Sequence, residues 1–79
     1  MYRNHLHIIK DILELCDKPQ PKTRILRKCS VPHPRFKEIL AMLLERRLLE
    51  EYGKKYATTR KGTEFIMSIR TADRLLGVY

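Results

Sequence analysis

The stretch ERRLLEEYGKKYATTRKG, residues 45–62, leaves one helical pattern, passes through two short strand-like pieces and enters another helical pattern. Residues 48–52 and 56–59 carry the aromatic and branched side chains that favour strands, and Gly53-Lys54-Lys55 between them supplies a residue tolerant of positive φ at a turn. A hairpin over about 48–59 follows. Two strands alone are marginal in water, so this ribbon has to lean on helices, and the flanking sequence should provide them.

Upstream, Tyr2, His5, Leu6, Ile9, Ile12, Leu13 and Cys16 recur at the three-and-four spacing of an amphipathic helix, with Arg3, His7, Lys10, Asp11 and Glu14 opposite. This predicts a first helix over about 3–16. DKPQP (17–21) ends it, because proline lacks an amide proton and disfavours helical geometry in the residue before it, and a short loop is expected there. A short basic helix over 22–29 follows, with the narrow stripe Ile25, Leu26 and Cys29. SVPHP (30–34) breaks the chain again, with Val31 tucked under the turn. A third helix over 34–46 places Phe36, Ile39, Leu40, Leu43 and Leu44 inward, while Pro34, Arg35, Glu38, Met42 and Glu45 point away.

Downstream of the hairpin, Thr59 suits the N-cap of a last helix over 60–76 whose core positions are Phe65, Ile66, Ile69, Ala72 and Leu76. Met67, Leu75, Val78 and Tyr79 are left over. In a domain this small they need another chain to pack on, which makes the last helix the expected dimer surface. The aromatic residues Phe36, Phe65, Tyr52 and Tyr56 fall at positions expected to face the core, which argues against base stacking on single strands.

The net charge of +8 is unevenly placed: seven cations and no carboxylate lie between Lys18 and Lys37, and four more cations with no carboxylate between Lys54 and Lys61. Such segregation costs self-repulsion that a polyanionic partner would relieve. Seventy-nine residues make one domain, 1–79, near the size at which a single core only just suffices. No apolar run approaches the roughly 18 residues of a membrane span, and the start lacks a small-residue cleavage site, so no membrane partner and a cytoplasmic location are expected. His5 and His7, two apart on a helix, point about 200° from each other, and two cysteines with three scattered histidines do not make a structural zinc site. No nucleophile has a base at recognisable spacing and no glycine-rich phosphate loop occurs. Neither a metal, a cofactor nor an enzymatic activity is expected. Cys16 and Cys29 lie on apolar faces, as buried thiols or as a disulfide clamping the first helix to the second.

The order α-α-α-β-β-α, mainly helical within an α+β class, is a winged helix-turn-helix layout. The pieces Thr23-Arg24-Ile25, Phe36 to Leu49, and Tyr56-Ala57-Thr58-Thr59 with Arg60-Lys61-Gly62 and Phe65 resemble the small archaeal winged helix-turn-helix DNA-binding proteins, among them transcription regulators, chromatin proteins and proteins of archaeal viruses. The resemblance implies a third helix in the major groove, a hairpin touching the backbone or minor groove, and a C-terminal helix that pairs two chains. On this sequence it implies His33, Arg35, Lys37, Glu38 and Met42 at base edges and phosphates. Lys22, Arg24, Arg27 and Lys28 then meet phosphates, and Lys54, Lys55, Arg60 and Lys61 extend the positive surface. The pairing helix contributes Ile66, Met67, Ile69, Arg70, Leu75, Leu76 and Val78. The expected function is double-stranded DNA binding as a homodimeric transcription regulator. The alternatives are a low-specificity chromatin protein, or a winged-helix module that docks on a protein of the transcription machinery. Two departures stand out. Arg47 occupies the place where such proteins end the third helix with glycine, and Pro32 and Pro34 remove backbone donors from that helix's start.

Overall fold

The computed structural model describes residues 5–77. Tyr2, Arg3, Val78 and Tyr79, assigned above to the first helix and the dimer surface, lie outside the described residues. The chain runs α1 (His5–Leu15), β1 (Gln20–Pro21), α2 (Lys22–Cys29), α3 (His33–Glu45), β2 (Leu49–Tyr52), β3 (Lys55–Thr58) and α4 (Arg60–Leu76). The sheet is antiparallel with order β1-β3-β2. The predicted loop at DKPQP is therefore in part a strand: Gln20 and Pro21 pair with Tyr56 and Lys55, so the hairpin is a three-stranded sheet with a short first edge. Proline fits there because an edge strand leaves one row of amides unneeded.

Ile12, Leu13, Cys16, Ile25, Phe36, Leu43 and Leu49 are fully buried at the centre of one cluster. It draws on α1, α2, α3, β2 and α4, as the periodicity predicts. Val31 is half-buried against it beneath the α2–α3 turn. His5 and Leu6, predicted on the core face, are exposed, while His7, predicted outward, is half-buried with Nε2 3.0 Å from Oδ2 of the buried Asp73. Glu14 of α1 pairs with Arg70, so α1 runs antiparallel to α4 and is tied at both its ends to the C-terminal half of α4. Cys16 and Cys29 are free thiols in the core. Burial, and then the neighbouring Cys29, pushes the Cys16 thiol up to about 12, where almost no nucleophilic thiolate exists at neutral pH.

The turns follow from local chemistry. Tyr52 pairs with Lys55, so the hairpin loop is Gly53-Lys54 alone, one residue shorter than predicted. Gly53 takes φ +60 and Lys54 does not share the positive φ, the pattern of a two-residue turn with glycine in its first position. Pro32 is the N-cap of α3 and Pro34 lies in its first turn, where a missing amide has no helical partner to lose. Thr59 caps α4, its hydroxyl accepting from the Gly62 amide at 3.0 Å and donating to the Arg47 carbonyl at 2.6 Å.

Arg47 does adopt the left-handed conformation, with φ +61. Its amide donates to the Leu44 carbonyl at 3.1 Å and the next amide, Leu48, to the Leu43 carbonyl at 2.9 Å, which together form a Schellman ending with a non-glycine at its left-handed position. An L side chain there costs roughly 1 kcal/mol, and Arg47 is exposed and makes no ion pair among the described residues. Arg47→Gly is therefore expected to raise the thermal midpoint by about 4–8 °C, the shift that about 1 kcal/mol gives a domain of this size. An unchanged or lower midpoint in a circular-dichroism melt would refute the strain argument.

Candidate nucleic-acid interface

α2 is amphipathic over only two turns. Ile25 and Cys29 go into the core, which forces Arg24, Arg27 and Lys28 into solvent and leaves Lys22 half-buried at its start. The left-handed Ser30 (φ +56) then turns the chain in three residues into α3. Burial of Phe36, Ile39, Leu40 and Leu43 points His33, Pro34, Arg35, Lys37, Glu38, Ala41 and Glu45 outward. Met42, predicted among the outward residues, is half-buried against the core, because its thioether lies at the border of the buried stripe and reaches inward.

The register of β1 on β3 places the hairpin. Pro21, the residue before α2, lies opposite Lys55, and paired strands sit about 5 Å apart. The loop Gly53-Lys54 and the start of α2 are thereby neighbours, and Lys54 and Lys55 join Lys22. Lys18, Lys22, Arg24, Arg27, Lys28, Lys37, Lys54 and Lys55 have no ion pair or hydrogen bond through their side chains among the described residues. Sequence reasoning leaves Lys18 out of the candidate set. The β1 pairing leaves it out as well, because the antiparallel register carries Lys18 toward Thr58 and away from the hairpin tip.

Arg60 and Lys61 do not join this group. They follow the far end of β3, about 10 Å along the strand from Lys55, at the turn that ends α3. There the Lys61 ammonium donates to the Arg46 carbonyl at 3.1 Å, and Arg60 lies 3.9 Å from Glu64. Arg46 and Arg47 are exposed at the same turn, so a second, smaller cationic locus exists that the charge runs do not reveal.

Tyr52 corrects another expectation. It is 59% exposed, not core-facing, because its partner across the hairpin is Lys55 on the solvent side, and its hydroxyl donates to Glu50 at 2.7 Å. On α4, Ile66 and Ile69, assigned above to the dimer surface, are buried within the protomer itself, and Arg70 is held by Glu14. Leu76 and Ala72, predicted in the core, are both exposed, the small Ala72 on the side of Met67 and Leu75. For Leu76 the cause is length: α4 has 17 residues against 11 in α1, and its last turn runs past the pairing of His7 with Asp73.

Among the described residues no group of three or more His, Cys, Asp or Glu is placed to hold a metal ion, and no helix is long and apolar enough to cross a membrane. Four helices on a three-stranded sheet, with a tight α2–α3 turn and unpaired cations on α2, α3 and the hairpin tip, define a winged-helix domain built around a positive face. The family model described as winged helix-turn-helix matches residues 2–77, and the chain belongs to that family, whose members are DNA-binding domains without enzymatic activity as a rule. No curated protein matches it.

Proposed function

We propose that this protein is a transcription regulator that binds double-stranded DNA as a homodimer with α3 in the major groove. The observation that carries the reading is the β1–β3 register, which gathers the hairpin-tip lysines beside α2 and so makes one positive surface of cations that have no intramolecular partner. Held apart from carboxylates, these charges gain most from phosphates. Six to ten phosphates neutralised in this way make duplex affinity fall by about three to five orders of magnitude between about 50 and 200 mM salt. Fluorescence anisotropy with a labelled random-sequence duplex across that range tests the reading, and absence of binding at low salt would end it.

Dimerisation is supported by the outer face of α4. Met67 and Leu75 are 61% and 81% exposed, about two turns apart on one side of the helix, with the exposed Ala72 beside them. Large apolar side chains grouped on one helix face favour a second copy. Two antiparallel α4 helices would bury these residues about a twofold axis and leave both positive faces outward. Sedimentation equilibrium is expected to show a dimer for the wild type and a monomer for Met67→Glu/Leu75→Glu at the same concentration. A monomeric wild type would remove the dimer from the proposal.

A further inference from the structure

The outward face of α3 is not simply cationic. Arg35 stands in its first turn, yet Glu38, Ala41 and Glu45 follow on the exposed side, so two carboxylates accompany the helix that would enter a phosphate-lined groove. Arg35 and Glu38 are three residues apart, the spacing at which opposite charges on a helix usually pair. They do not pair here. The Arg35 guanidinium turns instead to α1, with Nη2 3.0 Å from Nδ1 of His5. A guanidinium only donates, so His5 Nδ1 is the acceptor and the ring carries its proton on Nε2. Glu38 is left exposed with no hydrogen bond or ion pair among the described residues.

An unpaired carboxylate between two phosphate backbones is repelled and makes non-specific binding weaker. It is favourable only against a base edge that presents a donor. Adenine N6 lies beside the N7 acceptor, which repels a carboxylate, whereas the N4 amino group of cytosine is the major-groove donor that a carboxylate accepts from. Resting on the duplex-binding reading above, we propose that Glu38 is a specificity-determining residue that selects a cytosine in the target duplex, and that His5 is a positioning residue that keeps Arg35 off Glu38 so that both reach base edges. Arg35 then donates to a guanine at a neighbouring position. The target is a G- and C-containing site read by charge of both signs. A chromatin protein that tracks backbone alone would have no use for the carboxylate.

The test is selection from a duplex library randomised over about two helical turns, roughly 20 base pairs, with the wild type, Glu38→Ala, His5→Ala and His5→Asn. The wild type is expected to enrich a site with one position restricted to cytosine. Glu38→Ala should make that position degenerate, leave the others, and bind a random duplex about three- to tenfold more tightly, since one repulsive charge is gone. His5→Ala should blur both the guanine and the cytosine positions, because Arg35 is then free to pair with Glu38. His5→Asn, whose amide oxygen can replace Nδ1 as acceptor, should restore them, which a general loss of stability would not do. Both side chains are exposed, so melting temperatures should match the wild type. An identical enriched site for wild type and Glu38→Ala overturns the proposal. So does steep salt-dependent binding of the random duplex with no enrichment, which leaves DNA binding itself intact. Absence of any binding at low salt removes both.

Discussion

Gly62→Ala is expected to lower the thermal midpoint by about 8–16 °C, although alanine is the better helix former by about 1 kcal/mol. Gly62 is the third residue of α4, buried against the turn that follows α3. A methyl group there would sit inside van der Waals contact with the Leu48 carbonyl oxygen and 2.6 Å from Cγ2 of Thr58. Neither obstacle is the free end of a flexible side chain. The Leu48 carbonyl is backbone and already accepts from the Thr59 amide at 3.1 Å, and the Thr58 hydroxyl donates to the Leu13 carbonyl. Moving them strains the joint at which α3, β2, β3 and α4 meet. Overpacking of this kind costs about 1–3 kcal/mol, and a weakened hydrogen bond adds about 1 kcal/mol. Against the propensity gain the net loss is about 2 kcal/mol, a large part of the stability of so small a domain. A circular-dichroism melt reads it, and an unchanged or higher midpoint would show that the joint can relax.

The same joint shows why parts of the fold are legible in the sequence. Thr59 reads as an N-cap and Arg47 as a residue in the place of glycine because each acts through its own backbone, within four residues of chain. The helices are equally legible, since burial of Ile25 or Phe36 repeats every three or four positions. β1 is not. Two residues, one of them proline, have no period, and their strand character exists only because β3 lies beside them. The inward reach of α4 is hidden for a related reason. Leu76 continues the apolar spacing, but the spacing does not say where the partner helix stops.

The candidate interface divides along the same line. That Arg24, Arg27 and Lys28 are surface cations follows from α2 alone, whereas their company is set by tertiary pairing. In the sequence Lys54 to Lys61 is one run of charge, yet a four-residue strand separates its two ends. Lys55 lies by the start of α2, and Arg60 and Lys61 sit by the end of α3. Arg46 and Arg47 do not stand out as a cationic run because Glu45, Glu50 and Glu51 dilute the charge around them in sequence. The hydrogen bond of His5 with Arg35 joins residues thirty positions apart, and nothing local to either one signals it.

Reversal of three α2 charges, Arg24→Glu/Arg27→Glu/Lys28→Glu, is expected to weaken binding to a random duplex by about a thousandfold at about 0.1 M salt. Each phosphate neutralised contributes about 0.9 to the slope of log affinity against log salt, hence about a factor of ten at that concentration. Without those three cations affinity therefore falls by about three decades and the slope flattens by about 2.7. The fold should tolerate the change, because all three side chains are exposed and have no intramolecular ion partner to give up. If anything the melting temperature should rise, as self-repulsion among the cations between Lys18 and Lys37 is relieved. Arg60→Gln serves as the contrast. It removes a cation at the far end of the sheet, about one Debye length from Lys55 at about 0.1 M salt, and should leave the slope unchanged. Anisotropy titrations at several salt concentrations separate the outcomes. A flattened slope for the α2 variant alone locates the phosphates on α2 and the hairpin tip. A weakening of similar size for Arg60→Gln would move the duplex to the other cationic locus and, with it, the helix presented to the groove.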